Sequence, residues 1–230
     1  MFIDTHTHVY TEEFDADRAA VIARAREAGA LHLLLPNIDA ASVPPMLSLC
    51  EAEPDLCRPM LGLHPTELPA DPGPVLDEME AMLRRPGHPF VAVGEVGVDL
   101  YWDDSRRAEQ LDVFRRQARW AAELSLPLVV HTRSAHREVV EVLRPLAARL
   151  TGVFHCFGGT AEEADELLSL FPGFVLGIGG VLTFKKSTLP ATLRAAVPLI
   201  LQKLADIYQL PLPAVEQQLL RTTRRIFPRL

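Results

Sequence analysis

The chain has 230 residues, 48% apolar and 23% charged, which is a globular composition and excludes a disordered, collagen-like or coiled-coil protein. Its 23 basic and 30 acidic residues leave a net charge of −7, so it is no general coat for nucleic acid, and any polyanion must be met by a local patch or a bound cation. No apolar run reaches the roughly 18 residues of a membrane helix. Met1 runs straight into Phe2-Ile3-Asp4 with no basic-then-apolar leader, and Cys50, Cys57 and Cys156 have no metal-ligand spacing, so a reduced, cytoplasmic protein is expected.

The first apolar run, Phe2–Val9, predicts a strand. Side chains in a strand repeat with period two, so Asp4, His6 and His8 share a face, the imidazoles about 7 Å apart along the chain. Two histidines so placed can converge on one divalent cation, each giving a neutral nitrogen at about 2.0–2.1 Å; the alternative is a pair of half-exposed strand histidines. A helix follows over Phe14–Ala28, with Phe14, Ala19, Val21, Ile22 and Ala25 available for a buried stripe. Strands come next at Ala30–Ile38 and Arg58–Pro65. The second ends in Gly62-Leu63-His64-Pro65, where His64 is read as a substrate or general-acid contact, or else as a structural hydrogen-bond partner.

The run Phe90–Leu100 predicts a buried strand that contains Glu95. An unpaired carboxylate there would cost several kcal/mol, a cost removed by a metal or by a bridge between two metals. The helix Ser105–Leu124 should turn Leu111, Phe114, Ala118, Ala121 and Ala122 inward, and Pro127 opens the strand Pro127–Arg133. That strand ends in His131-Thr132-Arg133. Arg133 shares a face with His131, and a guanidinium beside a metal suits a phosphate or carboxylate; otherwise it pairs with Asp4 or Asp99. The strand Gly152–Gly158 carries His155 and Cys156. The strand Phe174–Val181 ends in Gly177-Ile178-Gly179-Gly180, whose N–H groups would suit an anion, although glycines at a rim more often permit a tight turn. Lys185 and Lys186 read as solvated surface lysines. A helix is expected over Ser187–Val197, after which AAVPLI runs into LQKLADIYQLP without room between Pro198 and Leu201 for another strand and its loop.

Strands alternating with helices make a parallel sheet, because parallel neighbours need a long crossover. The near-constant spacing favours one α/β domain over 1–230, a (β/α)8 TIM barrel with its strand-eight segment apparently missing. Catalysis in such a barrel sits at the carboxyl ends of the strands, which is where His6, His8, Glu95, His131 and His155 fall.

DTHTH at 4–8, GLHP at 62–65, GEVGVD at 94–99, HTR at 131–133 and HCFGG at 155–159 resemble, in order and approximate spacing, the motifs of the TatD-type deoxyribonucleases of the amidohydrolase superfamily. The resemblance covers Phe2 to about Pro198. It implies a (β/α)8 barrel, two divalent metal ions (Zn, Mg or Mn) and hydrolysis of DNA phosphodiesters, often from a 3′ end. By position, His6, His8 and Glu95 would hold one metal, and Glu95, His131 and His155 the second, with Glu95 bridging. Arg133 would hold the phosphate and His64 would act at the leaving group. DNA is then the substrate, with no membrane and no obligate protein partner. The rivals are a hydrolase of small esters or lactones on the same scaffold and a non-catalytic homologue that binds metal or nucleic acid.

The family carries a Glu-Thr-Asp-x-Pro type segment where strand eight should be, its Asp a metal ligand and base, followed by an Arg-Asn-Glu-Pro type motif. Neither occurs between Pro198 and Lys203, and the tail RTTRRIF lacks the usual Asn. Either the chain has lost a ligand and its base, or a strand-eight segment is missing from these 230 residues. The intact remainder of the site and the return of the pattern at Leu201–Tyr208 favour the second.

Overall fold

The computed structural model describes residues 1–180, residue 205 and residues 209–230. The expected helix 187–197, the strand-eight interval 198–203 and Lys185 and Lys186 lie outside the described residues.

The strands are β1 (Phe2–Asp4), β2 (Ala30–Leu35), β3 (Cys57–Pro59), β4 (Val93–Asp99), β5 (Leu128–Arg133), β6 (Gly152–Phe154) and β7 (Phe174–Leu176). The helices are α1 (Arg18–Glu27), α2 (Val43–Ala52), α3 (Gly73–Arg84), α4 (Arg107–Leu124), α5 (His136–Leu143), α6 (Ala161–Leu170) and α7 (Leu212–Ile226). All strand pairings are parallel and sequential, β1-β2-β3 and β4-β5-β6-β7, with a parallel bridge from Leu61 to Val93 linking the two sets. This is the strand order of the expected barrel, and all carboxyl ends point the same way. Among the described residues β1 and β7 are the outer strands.

Burial follows sequence most closely in the second half. All seven residues of β4 are buried, as its unbroken apolar run requires. The inward stripe of α4 contains Leu111, Phe114, Ala118, Ala121 and Ala122 as expected, together with Trp120 and two glutamines, Gln110 and Gln117. In α1 the expected helix begins only at Arg18, with Phe14 in the 3-10 turn Glu12–Phe14 ahead of it, and its stripe is thin: Ile22 is buried, Phe14, Val21 and Ala25 are half-buried, and Ala19 is exposed. The helix reads RAAVIARARE, so alanine and arginine leave it little large apolar surface to cover. A further cluster gathers Leu34, Met60, Val129 and Val153 from the strands and the segments beside them around Ile226 and Phe227 at the end of α7.

The strands are shorter than their apolar runs, and at three of them this moves a histidine off the strand: β6 stops at Phe154, so His155 lies just beyond it. β1 stops at Asp4, so His6 and His8 stand on the loop beyond it, and β3 stops at Pro59, so His64 lies just before the 3-10 turn Pro65–Glu67. One glycine is essential to the register. Gly97 of β4 pairs with His131 of β5 and has φ +151°, and a Cβ there would lie 1.9 Å from the His131 carbonyl oxygen. Only glycine admits this approach.

Candidate metal centre

Glu95 lies within β4 with its side chain 5% exposed, and histidines from four other segments close around it. Its Oε2 faces His6 Nε2 at 3.1 Å, His8 Nε2 at 3.8 Å and His64 Nε2 at 3.9 Å, while Oε1 faces His131 Nδ1 at 3.2 Å. The His155 ring, just beyond β6, stacks on His6 with centroids 3.4 Å apart. Donor atoms within 4.8 Å of one another form two sets that share Glu95: His6–Glu95–His155 and His64–Glu95–His131. The grouping implied by the resemblance instead puts His8 beside His6, and His155 beside His131. In the structure His155 joins His6, and His64 joins His131. His8 stays close, its Nε2 3.1 Å from His6 Nε2.

Neighbouring side chains set which nitrogen faces the centre. Tyr10 Oη donates to the Pro36 carbonyl at 2.6 Å and lies 3.1 Å from His8 Nδ1. With its one proton committed to Pro36, the phenol accepts from Nδ1–H, which leaves the His8 Nε2 lone pair toward Glu95. Asp99 Oδ2 lies 2.9 Å from His131 Nε2, so Nε2–H donates to it and Nδ1 turns to Glu95 Oε1. His64 Nδ1 lies 2.8 Å from Thr66 Oγ1. Asp4 Oδ1 accepts from the His6 backbone N–H at 3.1 Å, which fixes the bend between β1 and the His-x-His loop.

A deeper layer holds the loops themselves. Buried Asn37 accepts from Gly62 N–H through Oδ1 at 2.6 Å, and its backbone oxygen accepts from Glu95 N–H at 3.3 Å. Gln117 Oε1 accepts from Leu63 N–H at 2.7 Å beside His64, and Gln110 Oε1 accepts from Asp99 N–H at 2.8 Å. Tyr10, Asn37, Gln110 and Gln117 escaped the sequence reading, and Asp99 entered it only as a partner for Arg133. Two polar residues spaced by seven on the otherwise apolar face of α4 are the one signal that would have pointed to the glutamines.

Charge and protonation suit a cation. Burial pushes His8 and His64 down to about 4 and His155 well below the usual imidazole range, so all three are neutral at pH 7. Burial alone would raise Glu95; attraction to His6 and hydrogen bonds from His131 and His6 outweigh it and hold the carboxyl well below its ordinary range. Burial also works to lower His131, and its bonds to Glu95 and Asp99 prevail and raise it. His6 Nδ1 is buried without a hydrogen-bond partner among the described residues. A carboxylate ringed by imidazole nitrogens, whose protons on the Glu95 side a cation would displace, is a donor set able to bind a divalent metal.

Arg133, at the exposed end of β5, lines the same cavity. It pairs with neither Asp4 nor Asp99. Its guanidinium carbon lies 3.9 Å from the Tyr101 ring centroid, and Asp99 is taken by His131. The glycine-rich end 177–180 also lines the cavity, with Gly179 against Cys156 Sγ.

The model of the family described as TatD related DNase matches residues 3–200. A protein called uncharacterized metal-dependent hydrolase YabD, from Bacillus subtilis, is 32% identical over 201 residues, 86% of this chain and 76% of its own length. The 3'-5' ssDNA/RNA exonuclease TatD of Edwardsiella piscicida is 35% identical over 197 residues, 85% of this chain and 74% of its own. Among solved structures, the TatD homologue YjjV of Escherichia coli superimposes with a TM-score of 0.88 at 26% identity, covering 99% of this chain and 98% of that one. The fold is therefore that of an α/β TIM-barrel hydrolase. Among the described residues no helix is long and apolar enough to cross a membrane.

Proposed function

The chain belongs to the TatD related DNase family, and from that premise we propose that it is a metal-dependent hydrolase that cleaves DNA phosphodiester bonds as an exonuclease on single-stranded ends. The observation that carries this reading is the buried carboxylate of Glu95, facing His6, His8, His64 and His131 at 3.1–3.9 Å. Two divalent ions, Zn, Mn or Mg, would be held by His6, His8, Glu95, His131 and His155, with Glu95 common to both. When bound, such ions lower the pKa of water toward roughly 7 and accept charge from a phosphoryl oxygen.

The chain's own groups do the rest. Tyr10 and Asp99 keep His8 and His131 in the tautomers that point lone pairs inward. Arg133, without an ion pair among the described residues, offers its guanidinium to a phosphate oxygen at the rim. His64, held by Thr66 with Nε2 toward the centre, would contact the leaving oxygen. A net charge of −7 disfavours a polyanion, so binding rests on this local cationic rim. Three free thiols support the cytoplasmic reading.

The test is digestion of an end-labelled single-stranded oligonucleotide. Added Mn²⁺ or Mg²⁺ should support shortening of the label, chelator should stop it, and His6→Ala should slow it about 10²-fold or more. A His6→Ala variant as active as the parent contradicts the reading. Metal binding without turnover of any ester would instead support the non-catalytic homologue, as loss of the strand-eight carboxylate would imply.

A further inference from the structure

The turn after β4 places two large aromatic side chains in solvent, against Arg133 of the cavity rim and just after Asp99, which bonds His131. Tyr101 is 58% exposed and Trp102 68% exposed. Single exposed aromatics are ordinary; these two are adjacent, on a turn whose backbone is held by hydrogen bonds. Asp99 Oδ1 accepts from the N–H groups of Tyr101 and Trp102 at 3.0 and 3.1 Å, and Leu100 N–H donates to the Arg133 carbonyl at 3.0 Å. Gln110 Nε2 donates to the Asp103 carbonyl at 3.0 Å and closes the far side of the turn. The two rings meet edge to face with centroids 5.1 Å apart, and the Arg133 guanidinium lies 3.9 Å from the Tyr101 centroid and 5.2 Å from that of Trp102. Arg133 follows His131 by two residues along β5, about 7 Å away.

We propose that Tyr101, Trp102 and Arg133 form a platform on which an unpaired nucleobase stacks while its phosphate lies at the metal centre. The inference rests on the nuclease reading and names the part of the substrate that reading leaves unassigned. A ring face fixed in solvent stacks any base without choosing its sequence, and the neighbouring guanidinium adds a stacking plane and a positive charge for the backbone. Bases inside a duplex already have neighbours on both faces, so the platform accepts single strands and frayed ends. A small ester or lactone without a π-face would gain nothing from it.

The chain has two tryptophans, and Trp120 is buried, so emission from exposed indole reports Trp102. The metal-loaded protein is titrated with a single-stranded oligonucleotide carrying cleavage-resistant phosphorothioate linkages, and with an abasic oligomer of the same length and linkage. The base-bearing strand should quench Trp102 emission and the abasic strand should not. Trp102→Ala should weaken binding of the base-bearing strand about tenfold while shifting the abasic strand far less, and Trp102→Phe should recover most of the loss. Equal quenching by both strands, or an equal loss for both in Trp102→Ala, overturns the platform. Hydrolysis of DNA without base-dependent quenching overturns the platform alone. Base-dependent quenching without hydrolysis supports the platform and overturns the nuclease reading.

Discussion

The two sides of the metal centre are built differently. On one side Glu95 and His131 belong to β4 and β5, and the register Gly97↔His131 sets them relative to one another. On the other side β1 ends at Asp4, and His6 and His8 stand on a loop held by Asp4, Tyr10 and the Pro36 carbonyl. The charge sits within the sheet, at an irregularity of the β4–β5 ladder between Val93 and Val96. A buried carboxylate is tolerable only if its partners cannot drift, whereas neutral imidazoles can be steered by single hydrogen bonds. Damage to the strand side should therefore break the fold, and damage to the loop side should loosen the metal.

The largest effect is expected from Gly97→Ala. The new methyl would meet the His131 carbonyl at 1.9 Å, between two paired strands. Destabilisation of about 4 kcal/mol or more, or failure to fold, should appear in urea unfolding; a variant as stable as the parent would remove the register argument. Next comes Asp99→Asn. The amide oxygen can still accept from Tyr101 and Trp102, but its NH₂ cannot accept the His131 Nε2–H, so the imidazole loses its orienting partner. Metal affinity should fall about 10- to 100-fold in a competition titration, with the fold retained. Unchanged affinity would show that β5 alone orients His131.

A pH series separates the histidines from the backbone. His8 and His64 have folded values of about 4 against an ordinary 6.5. Above 6.5 folded and unfolded chains are both neutral there; below it the unfolded chain takes up protons the folded one refuses, so stability falls until about pH 4. Asp4, raised to about 6 by burial, acts in the opposite sense between about 4 and 6, while His155, held well below its ordinary range, adds to the fall, so one group opposes three. Metal-stripped protein should thus melt at progressively lower temperature from pH 6.5 to 4, and a flat profile would mean these imidazoles are not held neutral. Tyr10→Phe should have the smallest effect, about 1–2 kcal/mol from the lost bond to Pro36, with a modest loss of metal affinity through His8. A loss as large as that in Asp99→Asn would erase the distinction between the two sides.

The same contrast explains what the sequence made legible. Candidate metal ligands announce themselves by residue type, so His6, His8, Glu95, His131 and His155 could be proposed from motifs at strand ends, and the sheet order followed from the spacing of apolar runs. The pairing of His155 with His6 by ring stacking depends on how far each loop folds back, which no motif encodes. Tyr10, Asn37 and Gln117 act through backbone groups 26, 25 and 54 residues away, so nothing local marks Tyr10 and Asn37, and only the polar pair on the apolar face of α4 marks Gln117. The α1 stripe buries less than its periodicity implies because small residues mimic a periodic face without the volume to fill it.

Metal analysis of the purified chain and of Glu95→Gln, each first shown to melt cooperatively, tests the centre most directly. Because both donor sets share Glu95, the parent should hold up to about two divalent ions per chain and the variant almost none. Equal metal in the two proteins, or a parent that binds none from Zn²⁺ or Mn²⁺ buffers, would contradict the account.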